Sequence, residues 1–180
     1  MATATKSTST KSSSDTMENA LDLLIHEMAD IRNAEETILD MLKKAASAAT
    51  NDELRKGLEA HREQTQGHLE NVDAAFKALG VKPQEVECKG AKGLKAELDE
   101  AVKEKPAAEV LDVMIAGGAA KTEKYEISAY SGMVDLAKQL GHDDVAKLLS
   151  ENLKQEEETL KKVEKLEEKL AKNLPAPAKN

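Results

Sequence analysis

Residues 81–105, VKPQEVECKGAKGLKAELDEAVKEK, separate two pairs of long helical patterns. This connection of roughly 25 residues includes a short helical pattern over residues 91–103. By contrast, about three residues join the two long patterns within each pair. Because a short link forces consecutive helices to run antiparallel, these lengths predict two antiparallel hairpins joined by a long crossover that contains a short fifth helix.

The four long patterns repeat apolar residues every three or four positions, as amphipathic helices do. Asn51 or Asp52 is expected to cap the second helix, and Gly80 to end it. Pro106 is expected in the first turn of the third helix, and Gly141 at its end. The four expected helices run from residue 15 or 16 to 49, from 51 or 52 to 79, from 106 to 140, and from 142 or 143 to about 172.

The predicted fold class is all-α, since two hairpins and one long crossover form the topology of a ferritin-like four-helix bundle. An ordinary up-down-up-down bundle is the alternative, in case the short helix only caps one end. Residues 1–15 are Ser, Thr, Ala and Lys with little to bury, and they are predicted to be a disordered tail. Residues 16–172 are predicted to form the bundle, and residues 173–180 a flexible tail.

Composition limits the classes of function. The net charge of -8 argues against sequence-independent binding to nucleic acid, which requires a cationic face. No apolar run approaches the roughly 20 residues of a membrane span. The single cysteine, Cys88, excludes an intramolecular disulfide and fits a reducing compartment, and we see no export or transit signal. We therefore expect a cytoplasmic protein with neither a nucleic-acid partner nor a membrane.

Polar side chains interrupt the apolar face of every long helix. Glu35 occupies the position between Ile31 and Ile38, and Glu156 the position between Leu153 and Leu160. His61 and His68 lie on the apolar face of the second helix, and Glu126 on that of the third. A buried carboxylate costs several kcal/mol unless another group pairs with it. The pattern therefore suggests one shared polar site inside the bundle.

The heights of these residues along the bundle agree. Glu35 lies about 15 residues before the first hairpin turn, so its antiparallel partner level is near residue 64, between His61 and His68. Glu126 lies about 15 residues before the second turn, and its partner level is near residue 157, next to Glu156. Both hairpins thus place their polar residues at one height, in a single layer.

Carboxylate oxygens and imidazoles without thiolates suit iron or manganese. Di-iron bundles use a Glu from each of two helices and a Glu-x-x-His motif from each of the other two. Here Glu156 is followed three residues later by Thr159, so the motif is absent from the fourth helix. Gln64 and Glu123 are additional candidate ligands, although Glu123 lies at the flank of its apolar face. The sequence leaves open a dinuclear site, an incomplete site and a layer without metal.

Strings such as DLLIHEMADIRNAEE in the first helix, ECKGAKGLKAELDEA in the crossover and EKYEISAYSGM in the third helix carry a resemblance to a known family. Over about residues 17–172 the chain resembles the YciF/YciE-type bacterial stress proteins of the ferritin-like superfamily. The resemblance implies a ferritin-like bundle with a short extra helix, a dimer and a link to stress response. Its more specific carriers are Cys88, Gly93-Leu94 and Glu97 in the crossover and Tyr125-Glu126-Ile127 in the third helix. The matching strings are DLLIHEMADIRNAEE, HREQTQGHLENVD, ECKGAKGLKAELDEA, EKYEISAYSGM and LAKQLGHDDVAKLLSENLKQEEET.

Two functional hypotheses follow. The first is a stress-associated metal-binding protein that holds iron or manganese and oxidises or sequesters Fe(II). The second is a non-catalytic dimeric stress or interaction module whose polar layer is structural. Tyr125 and Tyr130 are interpreted as packing residues, and Cys88 as a small buried side chain. The expected partners are a second copy of the chain and a metal ion, and the proposed ligands are Glu35, His61, His68, Glu126 and Glu156.

Overall fold

The computed structural model describes residues 17–176, in which it contains five helices and no strand. The all-α fold class is therefore confirmed. The short helix α3 lies between two pairs of long helices, and each pair is connected by three residues. The helices are α1 Ala20–Ala48, α2 Asp52–Ala78, α3 Lys89–Glu104, α4 Ala108–Gln139 and α5 Asp143–Ala171.

Helix ends follow the local chemistry of the sequence. Asn19 caps α1 by accepting hydrogen bonds from the amides of Leu21 and Asp22, so the predicted start at residue 15 or 16 was too early. Asn51 caps α2 by accepting from the Leu54 amide, as predicted. Gly80 and Gly141 follow α2 and α4 with φ of 69° and 77°, left-handed values at which glycine avoids the strain of a side chain.

The start of α4 lies beside the turn of the first hairpin. The Asp112 carboxylate accepts hydrogen bonds from the Thr50 amide at 2.8 Å, the Asn51 amide at 3.0 Å and the Thr50 hydroxyl at 2.6 Å. The chain therefore leaves the far end of α2 and returns to the first turn before α4 begins. Residues 79–107 span the length of the bundle, which confirms the predicted long crossover between two antiparallel hairpins.

Helix α3 packs against α1 and α4 rather than capping one end of the bundle. Lys44 on α1 contacts Asp99 at 2.7 Å, and Lys121 on α4 contacts Glu97 at 2.7 Å. These ion pairs hold α3 along the half of the bundle that contains the first hairpin turn. The core between the long helices is aliphatic, with the side chains of Leu24, Met28 and other apolar residues fully buried.

The predicted tails fall largely beyond the range that the structure covers. Residues 1–15 lie outside the described residues, and so do residues 177–180 of the predicted C-terminal tail. Pro106 precedes α4, whose first residue is Ala108, instead of lying in its first turn. Within residues 17–176, no helix is long and apolar enough to cross a membrane.

Candidate metal centre

Four helices bring six ionisable side chains together in the middle of the bundle. None of the six is more than 4% exposed. Five of them occupy positions where the helical repeat calls for an apolar residue, so folding the amphipathic helices places them in the core, and Glu123 lies at the flank of that face. The six are Glu35 of α1, His61 and His68 of α2, Glu123 and Glu126 of α4, and Glu156 of α5.

The six side chains form two overlapping groups. In one, His61, Glu123, Glu126 and Glu156 each provide a ligand atom, and these atoms all lie within 4.8 Å of one another. In the other, Glu35, His68 and Glu156 meet the same limit. Glu156 belongs to both groups, so its carboxyl group connects them.

The shortest contacts join imidazoles to carboxylates. His61 Nε2 lies 3.0 Å from Glu123 Oε1 and 3.8 Å from Glu156 Oε2. His68 Nδ1 lies 2.8 Å from Glu156 Oε1 and 3.7 Å from Glu35 Oε1. The 2.8 Å contact lacks the orientation of a hydrogen bond, because both of its atoms are without a hydrogen-bond partner. The ligand atoms therefore lie close together without satisfying one another's hydrogen-bonding capacity.

Nine side-chain atoms of this layer are buried without a hydrogen-bond partner among the described residues. A buried polar atom left without a partner costs roughly 1–3 kcal/mol, and an ionised one costs more. A cation in the layer would remove this cost for many of the atoms at once. The nine are Glu35 Oε2, His61 Nδ1 and Nε2, His68 Nδ1, Glu123 Oε2, both oxygens of Glu126 and both oxygens of Glu156.

Hydrogen bonds to neighbouring side chains orient part of the layer. His68 Nε2 lies 3.3 Å from Gln155 Oε1, and as the donor in that contact it leaves the Nδ1 lone pair facing Glu156. The Tyr130 hydroxyl donates to Glu35 Oε1, and the Asn152 amide donates to the Tyr130 oxygen at 3.0 Å. Partners of this kind fix ligand orientation in metal sites.

Burial changes the protonation of the carboxyl groups. It raises the pKa of Glu35 to about 8 and that of Glu123 to about 7, and it raises the pKa of Glu126 well above its ordinary value. The pKa of Glu156 is also raised by burial, although His68 opposes the rise. In the absence of a cation, protons therefore occupy much of this layer at neutral pH.

Burial affects the two imidazoles differently. It lowers the pKa of His61. It also acts to lower the pKa of His68, but the neighbouring Glu156 and Glu35 outweigh this effect and raise it. The lowered pKa favours the neutral form of His61, which is the form that binds a metal, whereas the facing carboxyl groups favour the protonated form of His68.

The five main predicted ligands all lie in the layer, and so does Glu123, which was one of the two additional candidates. The sequence placed Glu123 at the flank of its helix, but its side chain is 1% exposed. The reason is that α4 packs against α1, α3 and α5, so a wider arc of α4 is buried than one apolar seam. Gln64 is half-buried, and its Oε1 lies 3.5 Å from the Thr159 hydroxyl. It lines a cavity together with His61 and Glu123, so it stays a candidate at the edge of the layer.

In the folded protein the layer contains four carboxylates and two imidazoles. This equals the ligand inventory of di-iron carboxylate bundles, although both imidazoles here come from α2 and α4 contributes Glu-x-x-Glu. Sequence reasoning missed two supporting residues. Tyr130 was interpreted as packing, yet it donates to Glu35. Asn152 gave a usable signal, because it precedes Glu156 by four residues on the buried face of α5.

Two cavities reach the layer at His61 and Glu123. The first has a volume of about 350 Å³ and lies under α3, between α1 and α4. The second, of about 290 Å³, lies between α2 and α5 and includes Gln64, Thr159 and Lys162 in its lining. Both give small molecules a route from the surface to the same edge of the layer.

Comparison with known proteins identifies relatives over most of the chain. A family model described as Domain of unknown function (DUF892) matches residues 19–174. The protein YciF of Escherichia coli (strain K12) is 34% identical over 144 residues, which cover 79% of this chain and 87% of YciF. The crystal structure of YciF, described there as a stress protein, has a TM-score of 0.85 at 32% identity and covers 88% of this chain and 100% of its own.

Two further structures share the fold. YcfI from Rhodopseudomonas palustris, described as "a putative structural protein", has a TM-score of 0.81 at 39% identity, covering 84% of this chain and 96% of its own. A structure of ferritin-like, diiron-carboxylate proteins from Bacillus anthracis str. Ames has a TM-score of 0.65 at 18% identity, covering 83% of this chain and 99% of its own. At that identity the likeness establishes the ferritin-like fold alone.

Proposed function

The chain belongs to the DUF892 family, and we propose that it binds iron or manganese in the core of its ferritin-like bundle. The observation that carries this proposal is the set of nine buried atoms without hydrogen-bond partners in a layer of carboxylates and imidazoles. Oxygen and imidazole ligands without thiolates suit these two metals. The only cysteine of the chain, Cys88, lies outside both groups of ligand atoms.

The two groups suggest that each of two ions would have its own set of ligands. Glu35 and His68 would hold one ion, and His61, Glu123 and Glu126 the other. Glu156 would contribute to both. Fe(II) held by these residues would be open to oxidation to Fe(III) by dioxygen or peroxide, which would accept the electrons, and metal bound without such a reaction would amount to sequestration.

A role in stress response and a homodimeric state remain part of this proposal. The first is supported by the description of YciF as a stress protein, and the second by the family resemblance. A cytoplasmic location is supported by the single cysteine. These three properties do not depend on the metal site, and disproof of any one of them would leave the metal site standing.

Metal analysis tests the core of the proposal. Protein loaded anaerobically with Fe(II) or Mn(II) and then desalted is expected to carry about two ions per chain, measured by mass spectrometry. Glu35→Gln and Glu126→Gln each remove a ligand from one group, so each is expected to retain about one ion. Glu63→Gln alters an exposed carboxylate on the same α2 helix as the histidines and serves as the control. Wild-type protein without stoichiometric metal would refute the proposal.

A structural role is the second candidate function. The description of the Rhodopseudomonas relative favours it, and so does a hydrogen-bond network that ties three helices. In that network Asn152 of α5 donates to Tyr130 of α4 and accepts from Asn71 of α2 at 2.7 Å. If the layer only fixes helix register, Glu126→Leu should raise the melting temperature while chelators leave the wild type unchanged. A chelator that lowers the melting temperature of purified wild-type protein favours the metal site instead.

A further inference from the structure

The cavity under α3 has an unusual lining for a space next to a polar layer. Apolar side chains from four helices form its walls, and His61 and Glu123 lie at its inner end. Its volume of about 350 Å³ falls in the range of small-molecule sites, which start near 300 Å³. The wall residues that matter most here are Ile38, Leu42, Leu58, Leu98, Val113 and Ile115.

Small residues on α4 create the space. Gly117, Gly118 and Ala119 follow one another where a bundle helix ordinarily carries larger apolar side chains. A Cβ atom at Gly118 would meet no other atom within 4 Å, so the volume beside it is open. Two adjacent glycines also lower the helix propensity of α4, by about 1 kcal/mol each relative to alanine. At Gly117 a Cβ atom would lie 2.9 Å from Glu167 Oε1, so of the two glycines it is Gly118 that leaves open volume.

The charges around the cavity limit which ligands can bind. Glu97 and Glu167 contribute two negative charges to its lining, and Lys121, which pairs with Glu97, contributes one positive charge. The inner end adds the Glu123 carboxyl. An anionic ligand would therefore meet acidic groups at both ends, while the apolar walls disfavour any charge between them. These features favour a neutral molecule with an apolar body and one polar end.

We propose that this cavity binds an uncharged aliphatic molecule whose single hydroxyl or carbonyl oxygen points toward His61 and Glu123. Its volume equals roughly ten to twelve water molecules, which corresponds to a chain of about six to ten carbons. Binding of the aliphatic body depends on the cavity alone. The position of the polar end beside a metal ion rests on the proposed function.

A calorimetric titration with straight-chain primary alcohols of four to twelve carbons tests the proposal. Metal-free and Mn(II)-loaded protein are titrated separately. Affinity is expected to increase about fourfold for each added methylene, as for burial of an apolar chain, and to stop increasing once the chain outgrows the cavity. Octanoate is expected to bind more weakly than 1-octanol. Absence of octanol binding, or tighter binding of octanoate, would overturn the proposal.

Two glycine variants locate the binding. Gly118 lies three residues after Ile115 and four before Thr122, so a side chain there points along the same buried face of α4. Gly118→Leu is expected to fill the cavity and weaken octanol binding at least tenfold. Gly132→Leu makes the same change at an exposed position of α4, where an added Cβ also meets nothing within 4 Å, and should bind octanol like the wild type.

The outcomes separate this proposal from that of a metal site. Metal content measured on the same Gly118→Leu sample should match the wild type, because the substitution replaces no ligand. Octanol binding by a protein that takes up no metal would refute the metal site and leave the aliphatic site intact. Metal uptake without octanol binding would refute the aliphatic site and leave the metal site intact. Unchanged octanol binding in Gly118→Leu, or dissociation of a dimer by that substitution, would show that the cavity is not the aliphatic site.

Discussion

Glu35 makes the stability of the metal-free protein depend on pH in an unusual direction. Its side chain is fully buried, and burial raises its pKa from 4.5 to about 8. The folded protein therefore holds this proton more tightly than the unfolded chain does. The resulting stability is fully present below the unfolded pKa and is lost as the pH rises through about 8. Metal-free protein should accordingly become less stable between pH 5 and pH 8.

The size of the effect follows from the two pKa values. With an unfolded pKa of 4.5 and a folded pKa of about 8, Glu35 alone removes about 3 kcal/mol of stability between pH 5 and pH 8. For a domain of this length, each kcal/mol corresponds to roughly 2–4 °C in melting temperature. The expected fall is therefore roughly 6–12 °C.

Thermal melts followed by far-ultraviolet circular dichroism, with a chelator present throughout, measure this fall. Glu35→Gln removes the titrating proton but keeps an oxygen that can accept the hydrogen bond from Tyr130. Between pH 5 and pH 8 its free energy of unfolding should fall by about 3 kcal/mol less than that of the wild type, and its melting temperature by roughly 6–12 °C less. The exposed Glu63→Gln is the matched control and should follow the wild type. Parallel pH profiles for wild type and Glu35→Gln would refute the reasoning.

Three other predictions concern the layer and the bundle. Mn(II) affinity, measured by competition with a chelating dye, should increase from pH 6 to pH 8. The reason is that the cation displaces protons from Glu35 and Glu123, whose pKa values are about 8 and 7. An affinity that does not change with pH would contradict this. Tyr130→Phe removes one hydrogen-bond partner each from Glu35 Oε1 and the Asn152 amide. In urea unfolding of metal-free protein, the free energy of unfolding should therefore fall by about 1–3 kcal/mol. An unchanged unfolding midpoint would count against the network. Asp112→Ala removes three hydrogen bonds from the first hairpin turn and should lower the free energy of unfolding by about 2–4 kcal/mol, whereas Glu109→Ala, one turn earlier on α4, should change it little.

The height of the polar layer could be predicted because it depends only on counting residues. A helix rises by about 1.5 Å per residue, and a link of three residues leaves little freedom in how two helices align. Glu35 and the histidines of α2 therefore had to face each other, as did Glu126 and Glu156. The same counting predicted the crossover, since residues 79–107 must return the chain to the first hairpin turn before α4 can begin.

The rotation of each helix about its own axis was harder to predict. An ideal helix turns by 100° per residue, and small departures accumulate over a helix of about 30 residues. Gln64 was accordingly an additional candidate ligand, and its side chain lies near both Thr159 and His61 at the edge of the layer. Glu123 was assigned to a flank, but it contacts His61 at 3.0 Å. A residue's angle within a bundle depends on all the helices that surround it, and one sequence segment does not contain that information.

The amino-acid sequence was therefore enough to predict five helices, two hairpins, one crossover and a polar layer at a single height. These features follow from spacing, link length and the rise of a helix. The tertiary structure was needed to show that six ligand side chains converge, that Tyr130 and Asn152 support them, and that an apolar cavity reaches His61 and Glu123. The convergence of the ligands and the volume of the cavity both arise from the packing of helices against one another. Packing brings together side chains that are distant in sequence.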